Sequence, residues 1–348
     1  MKTDIKSLTL EELQSFVVKL GENKFRAKQI FEWIHKKNAA GFDEMTNISI
    51  SLRKKLSENA SLAVSKIEKK LVSEIDGTVK YLLSFDDGEC VESVLMKYNH
   101  GNSLCVSTQA GCRMGCSFCA STINGLKRSL APSEILEQVY VAQRDLGREI
   151  DSIVLMGIGE PLDNYDNVLK FLKLLSCEDG RHMSLRHVSL STCGLVDRIN
   201  MLAKENLQLT LSISLHAPND EIRNKIMPVN NRWHIGSLLN ACKNYVIHTG
   251  RRISFEYAMI DGVNDSDECA VELSSRIRGI LCHVNIIAAN EVSEKSHKNS
   301  SKERIDRFVE ILSKKGVNVT VRRKLGSDIN AACGQLRNDQ VSLGGAMT

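Results

Sequence analysis

The feature that most constrains the fold of this 348-residue chain is an alternation of short apolar segments with longer amphipathic segments, which starts at residue 104. The short segments have the length of buried strands, and the longer ones show the apolar spacing of helices. Strands that alternate with helices in this way favour a parallel sheet. About six such units suit an incomplete (β/α) barrel or a doubly wound sheet, and both folds place ligands at the carboxyl ends of the strands.

The alternating unit is predicted to fill residues 104–348, as an α/β domain. Its strands are predicted at residues 104–108, 152–156, 187–191, 209–215, 253–259 and 283–287. Its helices are predicted at residues 133–146, 165–176, 196–205, 235–248, 266–278 and 302–315. A last strand at residues 317–322 precedes the C-terminal tail.

The first 62 residues predict a small helical domain, with helices at residues 9–20, 26–37 and 50–59. Residues 63–103 change to short β-type runs and predict a β linker. Residues 1–70 contain 14 Lys or Arg and 9 Asp or Glu, a net charge of +5, whereas the whole chain carries +4. This bias indicates a polyanionic partner for the N-terminal part, although solvated helix faces explain it equally well.

Cysteine content and targeting signals set the expected environment. The chain has 11 Cys but no apolar run long enough to span a bilayer and no export signal, so we expect a cytoplasmic protein that does not bind membranes. A reducing cytosol keeps structural cysteine pairs open. Clustered cysteines therefore favour metal binding or thiol chemistry.

Three cysteines form the motif C-x3-C-x2-C directly after the first predicted strand of the alternating unit. The motif lies in QAGCRMGCSFC (109–119), and its members are Cys112, Cys116 and Cys119. Three thiolates on one tight loop suit a [4Fe-4S] cluster with one iron left open for a substrate or cofactor. The alternative is structural zinc, which usually takes four protein ligands. No second C-x2-C or His pair lies nearby in the sequence to complete such a site.

The motif, with an aromatic residue before its last cysteine, resembles the radical S-adenosylmethionine (SAM) superfamily. A closer resemblance, to the RlmN/Cfr family of rRNA adenine methyltransferases, covers nearly the whole chain. Five segments carry it: FRAKQIF (25–31), MGIGEP (156–161), STCG (191–194), SLHAPND (214–220) and AACGQL (331–336). The resemblance implies an incomplete (β/α)6 radical SAM barrel with a small N-terminal helical domain and a short β linker. Pro161 favours the RlmN branch, since the Cfr branch tends to lack this proline.

The resemblance also implies the roles of particular residues. It assigns the three motif cysteines to the cluster. It assigns SAM binding to Gly159, Glu160, Ser191, Ser214, Leu215, His216 and Asn290. The motif positions depart from the family pattern at Glu291, where proline is usual, and at Asn124, where glycine is commoner.

For catalysis, the resemblance implies that the Cys333 thiolate takes a methyl group from one SAM. A second SAM yields the 5′-deoxyadenosyl radical, which removes a hydrogen from that S-methyl group. The resulting carbon radical adds to the base, because C2 of adenine is not nucleophilic and cannot displace a methyl group in the polar way. Release then needs Glu92 as the base for the C2 proton and Cys105 as the thiol that attacks the Cys333 sulfur, with a transient disulfide.

The implied substrates are adenosine 2503 of 23S rRNA and adenosine 37 of tRNAs, each methylated at C2. An external electron donor such as flavodoxin or ferredoxin is implied as a further partner, and we expect a monomer. A Cfr-like methylation at C8 is the alternative within the enzyme class. An RNA-binding protein with a structural metal site is the alternative outside it. The remaining cysteines match no family role: Cys90, Cys177, Cys193, Cys242, Cys269 and Cys282.

Overall fold

The computed structural model describes residues 2–99, 101–288, 297–332 and 334–336. Two of the predicted site residues, Asn290 and Cys333, lie outside these ranges.

The alternating unit forms parallel strands that lie side by side in chain order. The strands are β6 (Gly101–Cys105), β9 (Ser152–Leu155), β10 (Val188–Thr192), β11 (Thr210–Ser214), β12 (Ile253–Met259), β13 (Cys282–Ala288) and β14 (Val319–Val321). The helices are α4 (Pro132–Leu146), α5 (Tyr165–Ser176), α6 (Val196–Lys204), α7 (Asp220–Ile226), α8 (Ile235–Thr249), α9 (Asp267–Arg276) and α10 (Lys302–Lys314). Each strand pairs with its predecessor and the order never reverses, so the unit is an incomplete barrel and not a doubly wound sheet.

The predicted β linker extends this sheet. Three antiparallel strands, β3 (Lys66–Val72), β4 (Val79–Ser84) and β5 (Cys90–Tyr98), pair in succession, and β5 pairs with β6. The result is one ten-stranded sheet that runs from β14 at one edge to β3 at the other. A separate hairpin of β7 (Gln109–Gly111) and β8 (Leu126–Ser129) follows β6 in the chain.

The N-terminal residues form α1 (Leu10–Lys19), α2 (Arg26–His35) and α3 (Ile50–Asn59), with a two-residue parallel pairing of β1 (Thr3–Asp4) and β2 (Ala60–Ser61). The side chain of Thr9 accepts from the backbone N–H of Glu12, and the Glu12 carboxylate accepts from the backbone N–H of Thr9, so the two residues form a capping box.

The N-terminal helical domain (residues 1–62), called the helical module below, packs on α4 through buried polar contacts. The ammonium of Lys6 lies 2.5 Å from the Glu137 carboxylate, and both side chains are almost fully buried. His35 Nδ1 lies 2.8 Å from the Tyr140 hydroxyl. Apolar residues of the module and of the barrel also share one continuous core. The module therefore packs directly against the barrel in the described structure.

The predicted fold class is confirmed, and most predicted elements agree with the observed ones within a few residues. Helices α3 and α5 agree at both ends. The first barrel strand starts and ends three residues earlier than predicted, because it also pairs with β5 from Tyr98↔Gly101 onward. No helix in the described ranges is long and apolar enough to cross a bilayer.

Candidate active site

The loop that carries the three motif cysteines is closed by the hairpin of β7 and β8. The backbone N–H of Cys112 donates to the carbonyl of Gly125 at 3.0 Å. Gly111 has a φ of +77°, and a Cβ at this position would collide with the Gly125 oxygen. Only glycine can therefore start the loop here. The sequence predicted the loop but not the hairpin that closes it.

All three motif cysteines line one cavity at the carboxyl ends of the barrel strands, and this cavity is partly open to solvent. Cys112 and Cys116 are buried, and Cys119 is half-buried. Burial raises the pKa of the Cys112 thiol to about 12, and burial with the neighbouring Cys119 raises the pKa of Cys116 further. Iron binding must therefore displace thiol protons.

Gly159 and Glu160 line the same cavity after β9. Gly159 has a φ of +101°, and a Cβ there would lie 2.6 Å from the Gln109 Cβ, so this backbone approaches its neighbours as only glycine can. The Glu160 carboxylate is buried and accepts the backbone N–H groups of Leu162 at 3.0 Å and Cys193 at 2.7 Å. Burial raises its pKa. The side chains of Thr192 and Cys193 also hydrogen-bond to this carboxylate.

Ser191, Ser214 and His216 also line this cavity, at the ends of β10 and β11. The two serine hydroxyls lie 3.4 Å apart. The His216 ring packs edge-on against Phe118, with 5.0 Å between ring centroids. Since Phe118 precedes the last motif cysteine, this contact joins the cysteine loop to the end of β11.

A second cavity adjoins the first, because Met156, Ile287 and Arg322 line both. Cys105 forms part of its wall. Its other walls are mainly apolar, with basic residues at one side. The remaining lining residues are Val94, Met96, Tyr98, Ala288, Arg323, Lys324, Leu325, Ala331, Ala332 and Leu336.

Glu92 and Cys105 lie on the same face of the sheet. Val94 of β5 pairs directly with Cys105 of β6, and Glu92 lies two residues before Val94. Because side chains alternate across a strand, all three point to one side. The Glu92 carboxylate is buried and lies 3.0 Å from the ammonium of Lys80. The structure thus brings the predicted base and the predicted resolving thiol onto one surface.

The chain on either side of Cys333 covers this surface. Ala331 and Leu336 pack in a small apolar cluster that includes Cys105. Ala332 lines the second cavity, and Gly334 lines the first. The described neighbours of Cys333 therefore touch both cavities.

The predicted residue Leu215 differs from the others. Its side chain is buried in the main core, so only its backbone could contact a ligand.

Glu256 was missed by the sequence reasoning. It lies on β12, is 3% exposed and lines the first cavity. Its Oε1 accepts from Ser254 and Asn285, whereas its Oε2 has no hydrogen-bond partner among the described residues. A signal was present in the sequence, because Glu256 is the one charged residue in the otherwise mainly apolar run 253–259.

Arg223 was also missed. It is fully buried, and its guanidinium donates to the backbone carbonyls of Cys193 at 2.6 Å and Leu215 at 3.1 Å. Burial lowers its pKa. Arg223 therefore ties the ends of β10 and β11 together behind the cavity. Cys193, which matched no family role in the sequence, lines the cavity as well.

The residues present fit a [4Fe-4S] cluster with SAM. Three thiols from one loop supply the cluster ligands. The close backbone approach at Gly159 and the unsatisfied Oε2 of Glu256 offer space and an acceptor for a polar ligand.

Comparison with known proteins places these observations in a family. Residues 3–62 match the family described as ribosomal RNA large subunit methyltransferase N-terminal domain, and residues 106–273 match the radical SAM superfamily. The radical SAM superfamily uses a [4Fe-4S] cluster and SAM, so both cofactors apply to this chain.

The chain is 53% identical over 338 residues to a Clostridium novyi protein named probable dual-specificity RNA methyltransferase RlmN, covering 97% of this chain and 98% of that protein. A protein of the same name from Lachnoclostridium phytofermentans is 54% identical over 337 residues, covering 97% and 94%. A crystal structure of a radical SAM methyltransferase from Sphaerobacter thermophilus matches with a TM-score of 0.94 and 42% identity, covering 97% of this chain and 100% of that one. The resemblance seen in the sequence is confirmed: the chain belongs to the RlmN family, and its barrel to the radical SAM superfamily.

Proposed function

We propose that the protein methylates C2 of adenine in RNA, at adenosine 2503 of 23S rRNA and adenosine 37 of tRNAs. The observation that carries this proposal is the shared wall of the two cavities. The motif cysteines line one cavity, and Cys105 lines the other. A reactive group produced in the first cavity is thus one residue layer from a base held in the second. The dual-specificity name of the relatives supports two RNA substrates.

The target base is proposed to occupy the second cavity. Its apolar walls suit the flat face of an adenine that has left its stack. Arg323 and Lys324 lie at its rim and can pair with the phosphates on either side of the base. Electrostatic contacts of this kind position an RNA without reading its sequence.

Cys333 is proposed to carry the methyl group. When bound, the cluster and SAM supply the one-electron chemistry that removes a hydrogen atom from a methyl group. An external electron donor such as flavodoxin or ferredoxin is proposed to feed this chemistry. The placement of Ala332 at one cavity and of Gly334 at the other supports Cys333 as the carrier between them.

Release of the methylated base is proposed to use Glu92 and Cys105. After the carbon radical joins C2, a bound [4Fe-4S] cluster in its oxidised form would accept the one electron that the adduct loses, and the Glu92 carboxylate takes the C2 proton. The Cys105 thiolate attacks the Cys333 sulfur and forms a disulfide. The bond between sulfur and methylene carbon breaks with its electron pair on carbon, which gains a proton and becomes the methyl group. The common face of Glu92 and Cys105 supports this pairing.

The N-terminal module is proposed to contact RNA through an exposed concavity that includes Lys24 and Phe25. The Phe25 side chain is 54% exposed, and the Arg26 guanidinium lies 4.6 Å from its ring centroid. An exposed aromatic ring flanked by cations can stack on an unpaired base while the cations pair with phosphates. This arrangement favours an RNA contact over a merely solvated helix face.

Mapping the methyl group on RNA tests the proposal. The reconstituted protein is incubated with 23S rRNA fragments and with tRNA, and nucleosides are separated by mass spectrometry against C2-methyl and C8-methyl adenosine standards. The proposal expects C2-methyladenosine in both RNAs. Cys116→Ala should lose iron, SAM cleavage and product, whereas the matched control Cys177→Ala should retain all three. C8-methyladenosine, or a methyl group on a ring nitrogen, would contradict the proposed reaction.

A further inference from the structure

Lys80 of β4 joins the sheet face that carries Glu92 to the C-terminal segment that leads to Cys333. Its Nζ lies 3.0 Å from Glu92 Oε1 and donates to the backbone carbonyl of Asn330 at 3.2 Å. The side chains of Lys80 and Glu92 are only 11% and 5% exposed. An ion pair so far removed from water is weakly screened by salt and holds its geometry.

The turn between β3 and β4 fixes the same C-terminal segment a few residues earlier. The Asp328 carboxylate accepts the hydroxyl of Ser73 at 2.7 Å and the backbone N–H of Glu74 at 3.0 Å. The backbone N–H of Gly326 donates to the Asp76 carboxylate at 2.9 Å. Residues 326–330 are thus held by hydrogen bonds to the turn that precedes Lys80. The segment that precedes Cys333 is therefore fixed in position relative to the hairpin of β3 and β4, which lies beside Glu92.

We infer that Lys80 is a positioning residue that sets the Glu92 carboxylate and the Cys333-bearing segment in register for release of the methylated RNA. This inference rests on the proposed function. Glu92 can take the C2 proton only within hydrogen-bond reach of the joined base, and the base is attached to Cys333 at that stage. Because the Lys80 ammonium bonds both the Glu92 carboxylate and the Asn330 carbonyl, it fixes the distance between these two groups. A displacement of about 1 Å in such a group costs roughly a hundredfold in rate.

Other lysines of the linker sheet are not placed in this way. Lys70 of the neighbouring strand β3 pairs with Asp145 at 2.7 Å, and its side chain is 40% exposed. Lys70→Met is therefore a matched control, because it removes the same charge from the neighbouring strand of the same sheet and does not change the contacts of Glu92 or Asn330.

The experiment measures release of the RNA adduct in the reconstituted full-length protein. Lys80→Met, Lys80→Gln, Lys80→Arg and Lys70→Met are compared with wild type, using a 23S rRNA fragment as substrate. Covalent protein–RNA adduct is quantified on denaturing gels over time, beside iron content and methylation of Cys333. Cys105→Ala serves as the reference for blocked release. Lys80→Gln is included because it keeps an N–H donor for the buried carboxylate and so folds even where Lys80→Met does not.

We expect folded Lys80→Met or Lys80→Gln to release the adduct at least about tenfold more slowly than wild type. Iron content and Cys333 methylation should stay within about twofold of wild type. Lys80→Arg, which keeps the charge and the donors, should restore most of the release rate, and Lys70→Met should match wild type. Release at the wild-type rate by folded Lys80→Met or Lys80→Gln, while Cys105→Ala traps adduct, would overturn the inference and leave the proposed function standing. Absence of adduct in Cys105→Ala would instead overturn the proposed function.

Discussion

The Nδ1 atom of His216 accepts a hydrogen bond from the backbone N–H of Ala258 at 2.9 Å. A ring nitrogen that accepts carries no proton, so the proton of the neutral imidazole is on Nε2. Burial and, to a smaller extent, the charge of Arg223 lower the His216 pKa to about 3. His216 is therefore a neutral N–H donor at the wall of the cofactor cavity throughout the ordinary working range of pH.

If this donor contacts SAM, His216→Leu should weaken SAM binding by about tenfold, the size of one lost hydrogen bond in a buried site. His216→Gln keeps an N–H donor and should lose less. Equilibrium dialysis with labelled SAM on cluster-loaded protein measures the effect. Unchanged affinity in His216→Leu would remove this residue from the SAM site.

The close approach of the Gly159 backbone to Gln109 leads to a second prediction. In Gly159→Ala the new methyl group would lie 2.6 Å from the Gln109 side chain, and the backbone φ of +101° is strained for alanine. We expect a loss of about 1–3 kcal/mol in the free energy of unfolding together with weaker SAM binding. The control Gly236→Ala lies in α8 with open space around its Cβ, so it should be neutral or slightly stabilising. Chemical denaturation of both variants distinguishes these results.

His35 makes the docking of the helical module sensitive to acid. It is buried against Tyr140, and burial, with a smaller effect of Lys6, lowers its pKa to about 3. Between about pH 6.5 and pH 3 the unfolded chain binds a proton at this residue and the folded chain does not, so stability is present above this window and falls as pH falls through it. From pH 7 to pH 5 the loss is about 2 kcal/mol.

Urea denaturation at the two pH values tests this account. His35→Gln lacks a group that titrates in this range and should show a flatter dependence of stability on pH, although it is less stable than wild type at pH 7. An equally steep dependence in the variant would show that other groups cause the loss.

Local sequence patterns predicted the elements whose stability is local or depends on a clear apolar stripe. Helix α3 begins after the capping residue Ser49 and ends at Asn59, as predicted. The alternating pattern predicted that ligands bind at the carboxyl ends of the barrel strands, and the three motif cysteines, Ser191, Ser214 and His216 line one cavity there.

What could not be predicted depends on contacts between distant segments. Strand β3 (KIEKKLV, 66–72) is exposed along nearly its whole length and has no apolar alternation, because it is an edge strand held only by β4. The bond from Lys80 to Asn330 joins residues 250 positions apart. Buried Arg223 carries no local signal, since its partners lie on other segments: the backbone carbonyls of Cys193, Ser214 and Leu215 and the side chain of Asn230.

The proposed RNA face predicts separate effects for its aromatic and its basic residues. Phe25→Ala should weaken binding of a 23S rRNA fragment about tenfold through lost stacking. Lys24→Ala should weaken it less at low salt and reduce the slope of log affinity against log salt by about one. Fluorescence anisotropy at several salt concentrations measures both. Lys315→Ala, after α10, is the control and should change neither quantity.

Point substitutions are required for this test. Removal of the whole module would expose the buried Glu137 and Tyr140 side chains of α4 and part of the shared core, and so would disturb the barrel itself. Equal RNA affinity in Phe25→Ala, Lys24→Ala and wild type would show that the exposed basic concavity does not bind RNA.

The most direct measurement of the central claim is intact mass spectrometry of the protein after reaction with substrate RNA, made on Cys105→Ala and on Cys333→Ala. Cys105→Ala should remain covalently joined to RNA, because no thiol attacks the Cys333 sulfur. Cys333→Ala should give neither adduct nor methylated RNA, because the methyl carrier is absent. Methylated RNA from Cys333→Ala would contradict the account, even in protein that carries a complete cluster.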